Sequence, residues 1–128
     1  MTHSAAFKVL IVEDENLAAR RLRKLLESAL EGIEFEIHHV ATPEEALIAM
    51  NPFPDLLVLD LNLGTLCSID WVRAKKVDVS KTIIVSADTR YVDEAFEAGV
   101  AGYLFKPLEK EKFIEKIHSY LHKMGYIA

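Results

Sequence analysis

Four short apolar runs, at residues 9–12, 56–59, 83–85 and 103–105, are too brief for core helices and give way abruptly to polar residues. That is the pattern of strands buried on both faces. They predict strands over residues 8–13, 55–61, 82–87 and 101–105. A further strand over 34–41 carries Phe35 and Ile37 between polar neighbours, then His38, His39 and Val40, which suits a sheet edge. Between the strands the apolar spacing lengthens to a helical period. Residues 15–30 place Ala18, Leu22, Leu25, Leu26 and Ala29 on one face, and Gly32 stops them. Thr42-Pro43-Glu44-Glu45 reads as a helix start, with Thr42 as N-cap, Pro43 at the first helical position and Glu45 closing a capping box. Asn51-Pro52-Phe53-Pro54 breaks that helix. A weakly marked helix follows over 68–76, another over 91–98 ended by Gly99, and a last one over 109–123 with Phe113, Ile114, Ile117, Leu121 and Met124 inward.

Five strand-then-helix units predict an α/β fold with a parallel sheet covered by helices on both faces. At 128 residues the whole chain, 1–128, is expected to form a single domain with no output domain. Half of the residues are apolar, which excludes disorder, and the net charge of -5 argues against nucleic-acid binding. Arg20, Arg21, Arg23 and Lys24 therefore read as a solvated helix face. The single cysteine, Cys67, excludes an internal disulfide, the N-terminal residues lack a secretory signal, and no apolar run could span a membrane. A cytoplasmic protein is expected, with its oligomeric state open.

The chemistry lies where the apolar runs stop. Glu13 and Asp14 follow the first, Asp60 the second, Ser86 the third and Lys106 the fourth. Parallel strands would bring their carboxyl ends to one rim, where open α/β sheets place their sites. Two carboxylates about 4 Å apart repel by ~4 kcal/mol at an effective dielectric of 20, so Asp14 beside Asp60 demands a cation. Mg²⁺ suits that demand, since it takes carboxylates, waters and a phosphate.

Together Glu13-Asp14, Asp60, Ser86-Ala87 and Lys106-Pro107, in this order and over nearly the whole chain, resemble the bacterial response-regulator receiver domain of two-component signalling. The resemblance implies a flavodoxin-like doubly wound five-stranded sheet of order 2-1-3-4-5 with five helices. It implies that Asp60 accepts a phosphoryl group from a histidine kinase or histidine phosphotransfer protein, as a phosphoacceptor in a phosphorelay rather than a turnover enzyme. Mg²⁺ would be held by Asp14 and Asp60 directly, by Glu13 through water and by the Asn62 backbone carbonyl. Lys106, before a proline whose peptide is cis in the family, would neutralise phosphoryl charge, and Ser86 would donate to the phosphoryl group beside the small Ala87. Ser86 and Tyr103 would form the switch, with the ring turning inward to repack the face of the fourth helix, fifth strand and fifth helix (residues 91–123) against an unknown downstream protein. Asn62 and Asp88 occupy positions that tune phosphoryl lifetime, and Asp88 is expected to orient a hydrolytic water.

The segment after Asp60 departs from the family, with Leu63-Gly64-Thr65-Leu66-Cys67 in place of a Met-Pro-Gly-like turn. Asp60 through Leu66 also looks like the Asp-x-Asp-Gly-Thr-Leu loop of haloacid-dehalogenase-type phosphatases. Asn62 stands there for the second aspartate, and the motif follows the third predicted strand rather than the first. A receiver-like binding module that is never phosphorylated is a third reading. Blander roles compete at each position: Glu13 and Asp14 as helix caps, Ser86 as a turn hydroxyl, Lys106 as a surface lysine, Tyr103 as packing. His38, His39, His118 and His122 are expected to face solvent, the last two lacking a third metal ligand.

Overall fold

Side chains alternate across a strand, so a sheet with helices on both faces needs apolar residues at odd and even positions alike. In the computed structural model, which describes residues 6–128, the first strand, β1 (Phe7–Val12), meets that need. Phe7, Val9 and Ile11 enter one core layer, Leu10 and Val12 the other. The chain continues through α1 (Asn16–Ala29), β2 (Phe35–Val40), α2 (Pro43–Ala49), β3 (Leu56–Asp60), β4 (Asn62–Leu63), β5 (Leu66–Cys67), α3 (Ile69–Arg73), a 3₁₀ turn (Val79–Lys81), β6 (Thr82–Ser86), α4 (Val92–Ala98), β7 (Gly102–Phe105) and α5 (Lys110–Lys123). The main sheet runs β2-β1-β3-β6-β7, with every pairing parallel. It is the expected doubly wound sheet of order 2-1-3-4-5, β6 and β7 being its fourth and fifth strands.

One layer packs Leu22, Leu25 and Leu26 of α1 and Phe113, Ile117 and Leu121 of α5 on Val9, Ile11, Val58, Ile83 and Val85. The opposite layer packs Ala46, Ile69, Trp71, Val72 and Ala95 on Leu57, Leu59 and Ile84. Thr42 caps α2 as predicted, accepting from the Glu45 amide at 3.2 Å. The Glu45 carboxylate accepts from the Thr42 hydroxyl at 3.0 Å and the Ala41 amide at 3.4 Å, so the box closes one residue earlier than in its usual form. Gly99 ends α4 at φ 99°, a conformation that glycine adopts without steric cost.

Three expectations need correction, and one departure from the family takes a definite form. The segment after Asp60 is a β-hairpin, with Asn62 paired to Cys67 and Leu63 to Leu66. The third helix is only Ile69–Arg73, because Ser68 is committed to the hairpin base, its amide donating to Leu61 at 2.7 Å. Met124 lies past the last turn of α5 and is 36% exposed, while Tyr120 takes an inward position instead. In α1, Ala19 is buried and Ala18 only half-buried. Two histidines are also tethered rather than free: His39 Nε2 donates to the Glu13 carbonyl at 2.8 Å and His118 Nε2 to the Ala29 carbonyl at 2.9 Å. His38, His118 and His122 are exposed as expected, and His39 is half-buried.

Candidate functional site

The strand register assembles the site. Val12 pairs with Leu59, Asp60 with Val85 and Ser86 with Phe105. The next residue along each strand therefore reaches the same rim, and the Lys106 amide donates to the Ser86 carbonyl at 3.1 Å. Carboxylate oxygens of Glu13, Asp14 and Asp60 lie within 4.8 Å of one another. Lys106 Nζ stands between two of them, 2.8 Å from Glu13 Oε1 and 3.2 Å from Asp60 Oδ2. The Lys106–Pro107 peptide is cis. Three carboxylates and one ammonium leave the cluster two charges negative when all are ionised. A divalent cation held by hard oxygen donors fits that deficit.

Each side chain has a distinct setting. Glu13 is 1% exposed, and both its oxygens are engaged, Oε1 by Lys106 and Oε2 by the Glu15 amide at 3.2 Å. Burial pushes its carboxyl up to about 7, with the Asp60 charge adding to the rise and Lys106 opposing it. Burial works against the Lys106 charge, yet the Glu13 and Asp60 carboxylates outweigh it and raise the ammonium's pKa. Asp60 is 5% exposed, and its Oδ1 accepts from the Asn62 amide at 3.1 Å. Asp14 is exposed, and its Oδ2 accepts from the Gly64 amide at 2.9 Å.

The hairpin after Asp60 thus grips two carboxylates through the Asn62 and Gly64 backbone amides, and the Asp60 backbone as well. Gly64, at φ 63°, turns its amide toward Asp14, and the buried Ser68 hydroxyl donates to the Asp60 carbonyl at 2.7 Å. Sequence reasoning missed both contacts, since neither residue carries a signal beyond being small. Asn62 is exposed and reaches the Asp60 carboxylate through its backbone N–H, not its side chain.

Ser86 is fully buried, and its Oγ accepts from the Asp88 amide at 3.0 Å. The Tyr103 hydroxyl donates to the Asp88 carbonyl. Its ring is already inward, and burial raises its pKa. Ser86 and Tyr103, expected as a pair, are therefore joined through the backbone of Asp88. Ala87 is exposed beside the rim. A cleft of about 140 Å³ lined by Glu13, Arg21, Lys106 and Leu108 adjoins the site. A larger surface cavity, about 700 Å³, lies instead at the opposite strand ends around Lys8, His38, Phe53 and Asp55.

The Glu13 shift sets a pH dependence. The native state holds a proton up to about pH 7 that the unfolded chain gives up near 4.5. Stability from this group therefore falls as pH rises across that window, by at most ~3 kcal/mol, and is level above it. Metal-free protein is expected to melt lower at pH 8 than at pH 6, and Glu13→Gln to flatten the difference. Melting curves in chelator at the two pH values check this; an equal slope in the variant refutes it.

The sequence profile of the response regulator receiver domain matches residues 9–118. The nitrate/nitrite response regulator protein homolog of Haemophilus influenzae is 30% identical over 86% of this chain and 54% of its own length. The sensory transduction protein LytR of Staphylococcus epidermidis is 35% identical over 87% and 44% respectively. This chain spans about half the length of these relatives. Among solved structures, a CheY-like receiver domain from Methylobacillus flagellatus superposes with TM-score 0.73 at 28% identity, covering 91% of this chain and 99% of that one. Another, from Methanospirillum hungatei, superposes with TM-score 0.75 at 26% identity, covering 95% and 98%. Among the described residues no helix is long and apolar enough to cross a membrane.

Proposed function

The chain belongs to the response regulator receiver domain family of two-component systems, and from that premise we propose that Asp60 is its phosphoacceptor, charged by a histidine kinase or histidine phosphotransfer protein. One observation carries the reading: a nearly buried carboxylate at a strand end, with a lysine ammonium 3.2 Å away and two further carboxylates within 4.8 Å. An Asp60 oxygen attacks the phosphorus of a phosphoimidazole, the P–N bond breaks, and the imidazole leaves with a proton. Lys106 already points at Asp60 Oδ2, so it meets the incoming phosphoryl charge without reorganisation.

Mg²⁺ is the cofactor that this donor set fits, and when bound it supplies positive charge against the phosphoryl oxygens. Asp14 and Asp60 would hold it directly, with the Asn62 carbonyl. Glu13, whose oxygens are engaged by Lys106 and the Glu15 amide, suits contact through water.

Ser86 and Tyr103 form the switch in this reading. A Ser86 hydroxyl drawn to the phosphoryl group releases the Asp88 amide, and Asp88 moves the carbonyl on which Tyr103 rests. The response emerges on the face of α4, β7 and α5, where Phe96 and Phe105 are exposed for a downstream partner. Turning a 1:99 equilibrium into 99:1 takes ~5.5 kcal/mol, within reach of a few charge-assisted hydrogen bonds. Asn62 and Asp88 tune the phosphoryl lifetime.

The test is incubation with a small acyl-phosphate donor and Mg²⁺, followed by intact mass and mapping. The expected result is one phosphoryl group per chain, on Asp60 and dependent on Mg²⁺. Sustained turnover of a small phosphate monoester would favour the haloacid-dehalogenase-type phosphatase. No labelling at all would favour the constitutive binding module.

A further inference from the structure

The loop between β6 and α4 holds an ion pair that the phosphoacceptor reading does not use. Arg90 encloses the Asp88 carboxylate: its Nε lies 3.0 Å from Oδ1 and 3.2 Å from Oδ2, its Nη2 2.6 Å from Oδ2, and its backbone amide 2.9 Å from Oδ1. Both oxygens are occupied, in the planar fork that a guanidinium makes and an ammonium cannot. The pair is asymmetric, the Asp88 side chain being 11% exposed and that of Arg90 73%. A nearly buried carboxylate thus has both of its oxygens taken up by a partner that itself lies in solvent. Arg90 is in turn braced: its guanidinium carbon sits 5.1 Å from the centre of the Tyr91 ring, which a second guanidinium, of Arg73, approaches at 5.6 Å. Arg73 itself is bound to Glu94 of α4 and Asp70 of α3.

Exposed ion pairs contribute little to stability, so a clasp of this kind matters through where it holds its members. Asp88 is two residues past Ser86, which ends its strand at the acceptor rim, and its amide is bonded to the Ser86 hydroxyl. Its side chain is therefore the carboxylate of this loop best placed to serve a water attacking an acyl phosphate on Asp60. In that step an oxygen–phosphorus bond forms, the water proton passes to the carboxylate, and the bond to Asp60 breaks. Inorganic phosphate leaves and Asp60 returns as carboxylate.

We propose that Arg90 is a positioning residue that locks Asp88 away from this water and so prolongs the phosphorylated state. The inference rests on Asp60 being the phosphoacceptor. The same contacts lower the Asp88 pKa, which makes the locked carboxylate a weaker proton acceptor as well as an occupied one.

The test follows phosphoryl decay by intact mass after labelling with a small acyl-phosphate donor and Mg²⁺ and removal of the donor. Arg90→Ala is expected to shorten the lifetime by about tenfold, a small part of what a well-placed general base can supply. Asp88→Asn combined with Arg90→Ala is expected to return the decay to that of Asp88→Asn alone, which a merely structural role for Arg90 does not predict. Decay of Arg90→Ala at the unsubstituted rate or slower overturns the lock. So does a double variant that decays as fast as Arg90→Ala. Failure of the unsubstituted protein to label at all overturns the acceptor assignment itself, which separates the two claims.

Discussion

Asp60→Asn is expected to abolish phosphoryl labelling while raising the melting temperature of the metal-free protein. The first effect follows from chemistry, because an amide has no carboxylate oxygen to attack phosphorus. The second follows from charge. Glu13, Asp14 and Asp60 present oxygens within 4.8 Å of one another, and each such like-charge pair costs at least ~3 kcal/mol at an effective dielectric of 20. Neutralising residue 60 relieves two repulsions and gives up one attraction, to Lys106. At the same dielectric that 3.2 Å attraction is worth ~5 kcal/mol, so the net gain is on the order of 2 kcal/mol, which a domain of this size converts to a rise of several degrees. Magnesium provides the complementary readout. The unsubstituted protein is expected to gain ~2.7 kcal/mol at a hundred times its dissociation constant, through relief of the same repulsion, and the variant far less. A melt indifferent to Mg²⁺ before the substitution but shifted by it afterwards would sink the argument, as would a phosphoryl group still mapping to residue 60.

How far these properties were legible depends on what each residue reports. Glu13, Asp60, Ser86 and Lys106 were readable because each interrupts an apolar strand, and parallel pairing converts four such interruptions into one rim. The sheet order came from family resemblance, since the apolar runs alone do not choose which strands are neighbours. What stayed hidden was set by contacts between residues distant in sequence or by backbone geometry. Gly64 reaches Asp14 across fifty positions through an amide that any residue possesses. Ser68 is invisible as a clamp on Asp60 until the hairpin brings it back. His39 looked like one more polar residue of an edge strand, and its tether to the Glu13 carbonyl depends on the β1–β2 register. Tyr103 was legible as an aromatic at a coupling position, but its hydroxyl contact with Asp88 was not.

Lys106→Met is expected to cost stability in a strongly pH-dependent way and to slow phosphoryl transfer by a hundredfold or more. Methionine keeps a chain of similar reach but removes the ammonium that sits 2.8 Å from Glu13 and 3.2 Å from Asp60. Glu13 is buried, and a buried carboxylate stripped of its counter-charge is worth a loss of roughly 3–5 kcal/mol. The molecule can escape part of that loss by keeping Glu13 protonated. Its carboxyl already holds a proton up to about 7 with Lys106 opposing it, so removing Lys106 raises it further. The sign follows from linkage: the native variant binds a proton that the unfolded chain has released, so its stability falls as pH rises above the unfolded value of about 4.5. The difference between variant and unsubstituted protein is therefore expected to be small near pH 5 and largest near pH 8, as read by urea denaturation in chelator. Mg²⁺ at pH 8 should recover part of it, because it restores positive charge to the same cluster. The transfer defect comes from losing a preorganised donor aimed at developing charge, which typically costs about 10²- to 10³-fold. It should persist at saturating Mg²⁺, since an ion held by Asp14 and Asp60 would not replace the donor that Lys106 aims at Asp60 Oδ2. A variant equally stable at pH 5 and pH 8, or one labelled at the original rate, would show that Lys106 is a surface residue merely resting near the carboxylates.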